Sequence, residues 1–146
     1  SRLNRYINIR YEDKNLKINH KIFYYFTILF EKLETKTYYL FMDGRFLSFK
    51  IFYNLNSTIF QYLSHYYLER NKNIDFCISV KSSGSLSFRS KDPKNDVSLI
   101  AKTYFDGGGH ACASGGNFKK YGLINSIQDF EKILISNLKV EIKKEK

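Results

Sequence analysis

The densest chemistry in the chain lies in one short run, Asp106-Gly107-Gly108-Gly109-His110-Ala111-Cys112-Ala113-Ser114-Gly115-Gly116. Three successive glycines carry no Cβ, so the backbone can turn sharply there and bring N–H groups against a ligand. Consecutive amides pointing inward make a concavity that suits an anion. His110 stands at the rim of the run, where its imidazole can donate to a phosphate oxygen and, once protonated, adds positive charge. The small residues Ala111, Ala113 and Ser114 let such a turn pack closely on its surroundings. A second group, Ser87-Phe88-Arg89-Ser90, falls on a predicted strand, whose alternation puts Ser87 and Arg89 on one face and Phe88 on the other. A guanidinium fork donates two parallel hydrogen bonds to a phosphate, and the hydroxyls of Ser87 and Ser90 add weaker contacts. Arg89, Ser87, Ser90, Gly107, Gly108, Gly109 and His110 are therefore the candidate phosphate-binding residues.

Each motif taken singly leaves a structural reading open, because a glycine run is often an ordinary loop and a strand arginine often a solvated one. Other reactive residue types have no such company. His20 and His65 stand in no partner pattern and are read as surface or helix-packing residues. Cys77 and Cys112 form neither a disulfide framework nor a metal-ligand spacing. Cys112 is read as a small packed residue, since no base lies at a recognisable distance from it. The tyrosines between Tyr62 and Tyr67 are read as core and rim of a helix rather than as a base-stacking platform. No metal-ligand cluster stands out in the chain.

The elements that must position these residues follow from periodicity. Ile22, Phe23, Phe26, Leu29, Phe30 and Leu33 recur at helical spacing, which predicts a helix from Asn19 to about Glu34. Thr37 to Met42 and Phe46 to Tyr53 are rich in aromatic and β-branched residues, and Asp43-Gly44 between them is a strong hairpin signal. Ile59, Tyr62, Leu63, Tyr66 and Tyr67 then mark a helix that Ser57 can cap. Ile74 to Val80 reads as a partly alternating strand, Ser82 to Ser85 as a turn, and Leu86 to Ser90 as the returning strand. Asp96 can cap a short helix bearing Val97, Ile100, Ala101 and Tyr104, after which comes the glycine loop. Ser126 and Asp129 form a capping-box pattern that opens a helix with Ile127, Phe130, Leu134 and Leu138 on one side. The expected class is α/β, a small domain whose mixed or antiparallel sheet is built from hairpins alternating with helices that pack on it.

Composition bounds the rest. With 146 residues, 43% of them hydrophobic and 17% aromatic, the chain can bury the core of one domain. Lys and Arg number 24 against 14 Asp and Glu, a net charge of +10 that favours an anionic partner, nucleic acid or nucleotide first. Part of that excess sits in the run 139–146, read as a solvated basic tail. The longest apolar stretch is too short for a bilayer, so no membrane is expected, and the two cysteines suit a reducing cytoplasm. The chain starts at Ser1 and its only methionine is Met42, which reads as a segment of a longer protein.

Ser-x-Arg-Ser, then Asp96-Val97 opening a short helix, then Gly-Gly-Gly-His and a run of small residues together resemble the DHH-associated C-terminal domain. That domain occurs in DHH phosphoesterases: RecJ-like exonucleases, nanoRNase/pAp phosphatases and cyclic-dinucleotide phosphodiesterases. The resemblance covers about Thr37 to Phe118 in element order, and its specific part is Val80 to Gly116. It implies residues 1–36 leading in from a catalytic domain, a substrate-binding domain over 37–138, and the tail beyond. It also implies that the glycine run, His110 and Arg89 bind the phosphate of a nucleotide or short RNA or DNA. Hydrolysis would belong to an N-terminal DHH domain in cis, whose Asp and His ligands hold two divalent metal ions, usually manganese. The chain has no Asp-His-His, so the resemblance implies no activity on its own. Asp106 stands where a fourth glycine is common, Ala111-Cys112 replaces a more polar pair, and Phe88 replaces an aliphatic residue.

Two other readings compete. The C-terminal domain of alanyl-tRNA synthetases has a similar glycine-rich motif and serves RNA binding and dimerisation without hydrolysis. An assembly domain that forms a homodimer through its tyrosine-rich helices is the third.

Overall fold

A computed structural model describes residues 20–145. The opening polar stretch, the expected helix start at Asn19 and the His20 side chain lie outside the described residues. In chain order the elements are α1 (His20–Leu33), β1 (Lys36–Met42), β2 (Arg45–Tyr53), α2 (Ser57–Arg70), β3 (Phe76–Val80), β4 (Ser85–Ser90), α3 (Val97–Tyr104), β5 (Gly108–His110), β6 (Ala113–Asn117), a 3-10 turn (Lys119–Tyr121), α4 (Ile127–Leu138) and β7 (Glu141–Lys144). The strands form one seven-stranded sheet in the order β5-β6-β4-β3-β2-β1-β7. Among the described strands only β2 and β3 run parallel, joined by the crossover helix α2; every other neighbouring pair is antiparallel. The α/β class expected from the sequence is the one that forms.

Helices cover the sheet from both sides, which divides the core in two. On one face α3 and α4 bury Phe49, Phe76, Phe88, Phe105 and Phe130, with the Phe49 and Phe76 rings stacked 4.7 Å apart. On the other, α1 and α2 bury Phe23, Phe30, Phe52 and Tyr67, with Phe30 and Phe52 stacked at 4.2 Å. All five residues of β3 are buried, because this strand lies beneath helices on both faces. That explains its weak alternation, since a strand covered twice reads as an apolar run.

Several local signals act as read. Asp43 and Gly44 take φ of 51° and 81°, which lets β1 return directly as β2. The Asp96 carboxylate accepts from the N–H groups of Ser98 and Leu99 and opens α3. Ser126 Oγ accepts from Asp129 N at 3.3 Å, while the Asp129 carboxylate reaches back to Asn125 N at 2.8 Å.

Three segments differ from expectation. The cap of α2 is Asn56, whose Oδ1 accepts from Thr58 N at 2.9 Å and Ile59 N at 3.3 Å. Ser57 is already helical, and its hydroxyl accepts instead from Lys81 Nζ at 3.1 Å. Asn56→Ala is therefore expected to lower stability by about 1 kcal/mol in urea denaturation, and Ser57→Ala by only a few tenths of that. The run read as a solvated basic tail turns through Lys139 at φ 59° and adds β7 to the free edge of β1. An antiparallel edge strand needs only one partner, so a polar, lysine-rich segment serves well there and also blunts further pairing. The third departure is the glycine run. It is not a loop: Gly108–His110 and Ala113–Asn117 pair as a hairpin around the two-residue turn Ala111-Cys112.

Candidate functional site

The fold brings the two sequence motifs side by side. β6 is hydrogen-bonded to β4 on one side and to β5 on the other. In that register Arg89 faces Ala113, and Ala113 faces His110. Directly opposed residues of an antiparallel pair project their side chains to the same face, so Arg89 and His110 share one face with Ala113 between them. Neighbouring strands lie about 4.8 Å apart, which separates the two backbones by about 10 Å. The junction is also tied directly. Ser90 N donates to Cys112 O at 3.1 Å, and Val97 N to Ala111 O at 2.9 Å.

Alternation along β4 sorts the candidates. Leu86, Phe88 and Ser90 are buried, whereas Ser87 and Arg89 are half-buried on the face shared with α2. Among the described residues no helix covers β6 and β5 on that face. Ser87, Ala113 and Gly115 form its floor, Arg89 and His110 its charged and polar end, and α2 its wall. Arg89 Nη1 donates to Phe88 O at 2.8 Å, and its guanidinium carbon sits 5.8 Å from the centre of the Phe60 ring. Partial burial lowers the pKa of this guanidinium, which stays charged, with N–H donors left over for a ligand. His110 is exposed.

Ser90 and the glycines also make structural contacts. The Ser90 hydroxyl, on the buried side of β4, donates to Ala111 O at 3.2 Å and so helps hold the hairpin turn. Gly107 N donates to Ala101 O at 3.1 Å, closing the end of α3 just after Asp106, which takes φ 50°. A Cβ on Gly107 would lie 1.9 Å from Gly115 O, one on Gly109 2.8 Å from Ala113 O, and one on Gly116 2.7 Å from Phe105 O. These glycines are needed because backbone passes against backbone. Gly108 differs, since its Cβ would meet only the Lys102 side chain at 3.6 Å. As part of the terminal strand, the run presents alternate main-chain groups at a sheet edge rather than a closed ring of amides.

The sequence reading missed the outward stripe of α2. Tyr62, His65 and Tyr66, at i, i+3 and i+4, line a pocket of about 380 Å³ together with Arg89 and Lys91. Tyr62 lies on the rim, outside the buried set Ile59, Phe60, Leu63, Ser64, Tyr67 and Leu68. The same helical spacing could have separated the two stripes. What it could not supply is that the crossover carries α2 back beside β4. Cys77 is wholly buried, and burial pushes its thiol well above the usual range, while Cys112 lies half-buried in the hairpin turn. Among the described residues no group of three or more His, Cys, Asp or Glu side chains is placed to hold a metal ion. No helix among them is long and apolar enough to cross a membrane.

Fold and site together define a small α/β domain with one sheet face left partly open and edged by an arginine and a histidine. No family model matches the chain, and no curated protein matches it. It is similar to the crystal structure of an uncharacterized protein from Helicobacter pylori G27, with a TM-score of 0.58 and 21% identity, over 77% of this chain and 30% of that one. That likeness is one of fold. An exopolyphosphatase-related protein from Bacteroides fragilis gives a TM-score of 0.48 and 18% identity, over 94% of this chain and 33% of that one. The chain thus spans about a third of the length of these two structures.

Proposed function

We propose that the chain is the substrate-binding C-terminal domain of a DHH-family phosphoesterase, holding the phosphate of a nucleotide or short oligonucleotide on the open face of β4, β6 and β5. The observation that carries this reading is the register Arg89–Ala113–His110, which sets a guanidinium and an imidazole at one end of a floor of small residues. The net charge of +10 favours the same class of ligand. Arg89 is the principal donor in this reading, His110 the second, and the Ser87 hydroxyl a weaker third. Gly107, Gly109 and Ser90 serve as the frame that fixes them. A metal-assisted hydrolytic step, with its two divalent ions, would reside in a catalytic domain in cis. The contribution of this domain would be to place the phosphate accurately for that step.

The test is a calorimetric titration with 5′-phosphorylated diadenylate and with the same dinucleotide lacking that phosphate. Hydrogen bonds to a charged group contribute about 1.5–3 kcal/mol, so the phosphorylated form is expected to bind at least about tenfold more tightly. The preference should shrink as salt is added. Equal affinity for the two ligands would remove the proposal.

A further inference from the structure

The pocket between α2 and the end of β4 has features that phosphate binding alone does not require. Its α2 wall is aromatic. Tyr62 is 37% exposed and stacks on Phe23 at 5.2 Å, which holds its ring in place. His65 meets Tyr66 edge-on at 5.0 Å, so the two rings form a connected rim. On the strand side stands Arg89, which therefore borders both this pocket and the open sheet face.

Charge gives the pocket a direction. Beside its lining residues His65 and Lys91, Glu69 Oε2 lies 3.6 Å from His65 Nε2 and 3.6 Å from Lys91 Nζ. The carboxylate offsets Lys91 and disfavours an anion beside it, whereas among the described residues no carboxylate is paired with Arg89. A ligand with one flat uncharged part and one anionic part would thus lie with the flat part against α2 and the anion towards Arg89. At about 380 Å³ the cavity falls within the size range of small-ligand sites and has room for one aromatic ring system.

We infer that this pocket is a nucleobase subsite, in which the base of a nucleotide stacks against Tyr62 and His65 while its phosphate is held at Arg89. The inference rests on the phosphate-binding reading and narrows it, because an inorganic polyphosphate would leave this pocket unused. Stacking of a base on an aromatic side chain tolerates any base, so the subsite selects for the presence of a base rather than for its identity.

The experiment compares adenosine 5′-monophosphate with ribose 5-phosphate by calorimetric titration of the parent chain and of Tyr62→Ala, Tyr62→Phe and His65→Ala. The nucleotide is expected to bind about tenfold more tightly than the sugar phosphate. Tyr62→Ala and His65→Ala should each weaken the nucleotide by about fivefold and leave ribose 5-phosphate unchanged, while Tyr62→Phe keeps the parent affinity. The His65 side chain is 53% exposed, so its removal tests the subsite even if Tyr62→Ala fails to fold. Equal affinity for the two ligands, or equal losses for both in the variants, overturns the subsite and leaves the phosphate reading standing. Binding of neither ligand overturns both.

Discussion

Arg89→Ala is expected to weaken binding of 5′-phosphorylated diadenylate by about tenfold to a hundredfold, the range that follows from losing a hydrogen-bonded charge worth about 1.5–3 kcal/mol. Some loss of stability should accompany it, because the guanidinium of this half-buried side chain sits over the Phe60 ring. Arg89→Lys separates the two effects. Lysine keeps the stem and the charge but not the planar fork, so stability should return towards the parent while affinity recovers only in part. His110→Ala should produce a smaller loss of affinity with an unchanged thermal midpoint, since the imidazole is exposed. Titration calorimetry and thermal denaturation on the same samples distinguish these outcomes. Parent affinity in both Arg89→Ala and His110→Ala would show that the ligand lies elsewhere.

The second large effect concerns folding. Gly107→Ala places a Cβ 1.9 Å from Gly115 O and 2.7 Å from Gly116 Cα, and both contacts are with backbone. No rotamer change relieves them, so the end of α3 and the β5–β6 hairpin must separate. A loss on the order of 3 kcal/mol or more is expected, a large share of the roughly 5–15 kcal/mol by which a domain is stable. Gly108→Ala is the internal control, because its Cβ would meet only the flexible Lys102 stem at 3.6 Å. It should shift the urea midpoint little. If Gly107→Ala unfolds within about 1 kcal/mol of the parent, the close backbone crossing is not what requires glycine there. The contrast matters for function too, because the hairpin turn held by Ser90 N and Val97 N lies beside Arg89.

Much of the secondary structure was legible because its signals are local. Asp43-Gly44, Asp96 and Ser126 each act within a few residues of themselves, through positive φ or through a side chain that accepts an orphan N–H. The misreadings share the opposite character. Ser57 and Asn56 are both good caps by type, and the contact of Lys81 with Ser57, which lies across the fold, accompanies the choice of Asn56. The basic run after Lys139 is largely exposed, as read, but it pairs as a strand because an unpaired edge of β1 is there to receive it. The glycine run looks like a loop because glycine signals turns, yet its close contacts are with residues several positions away in the hairpin and with Phe105.

The candidate site divides along the same line. Residue types alone determined that Arg89 and His110 are suited to an anion, and the alternation of β4 determined that Arg89 and Ser87 share a face opposite Phe88. Only the tertiary structure decided that β6 lies between β4 and β5, which puts His110 on the face of Arg89, and that the crossover sets Tyr62 and His65 beside Arg89. The physical reason is range. Capping, turn formation and side-chain alternation are settled by covalent neighbours, whereas strand order and helix placement are settled by burying both faces of the sheet at once.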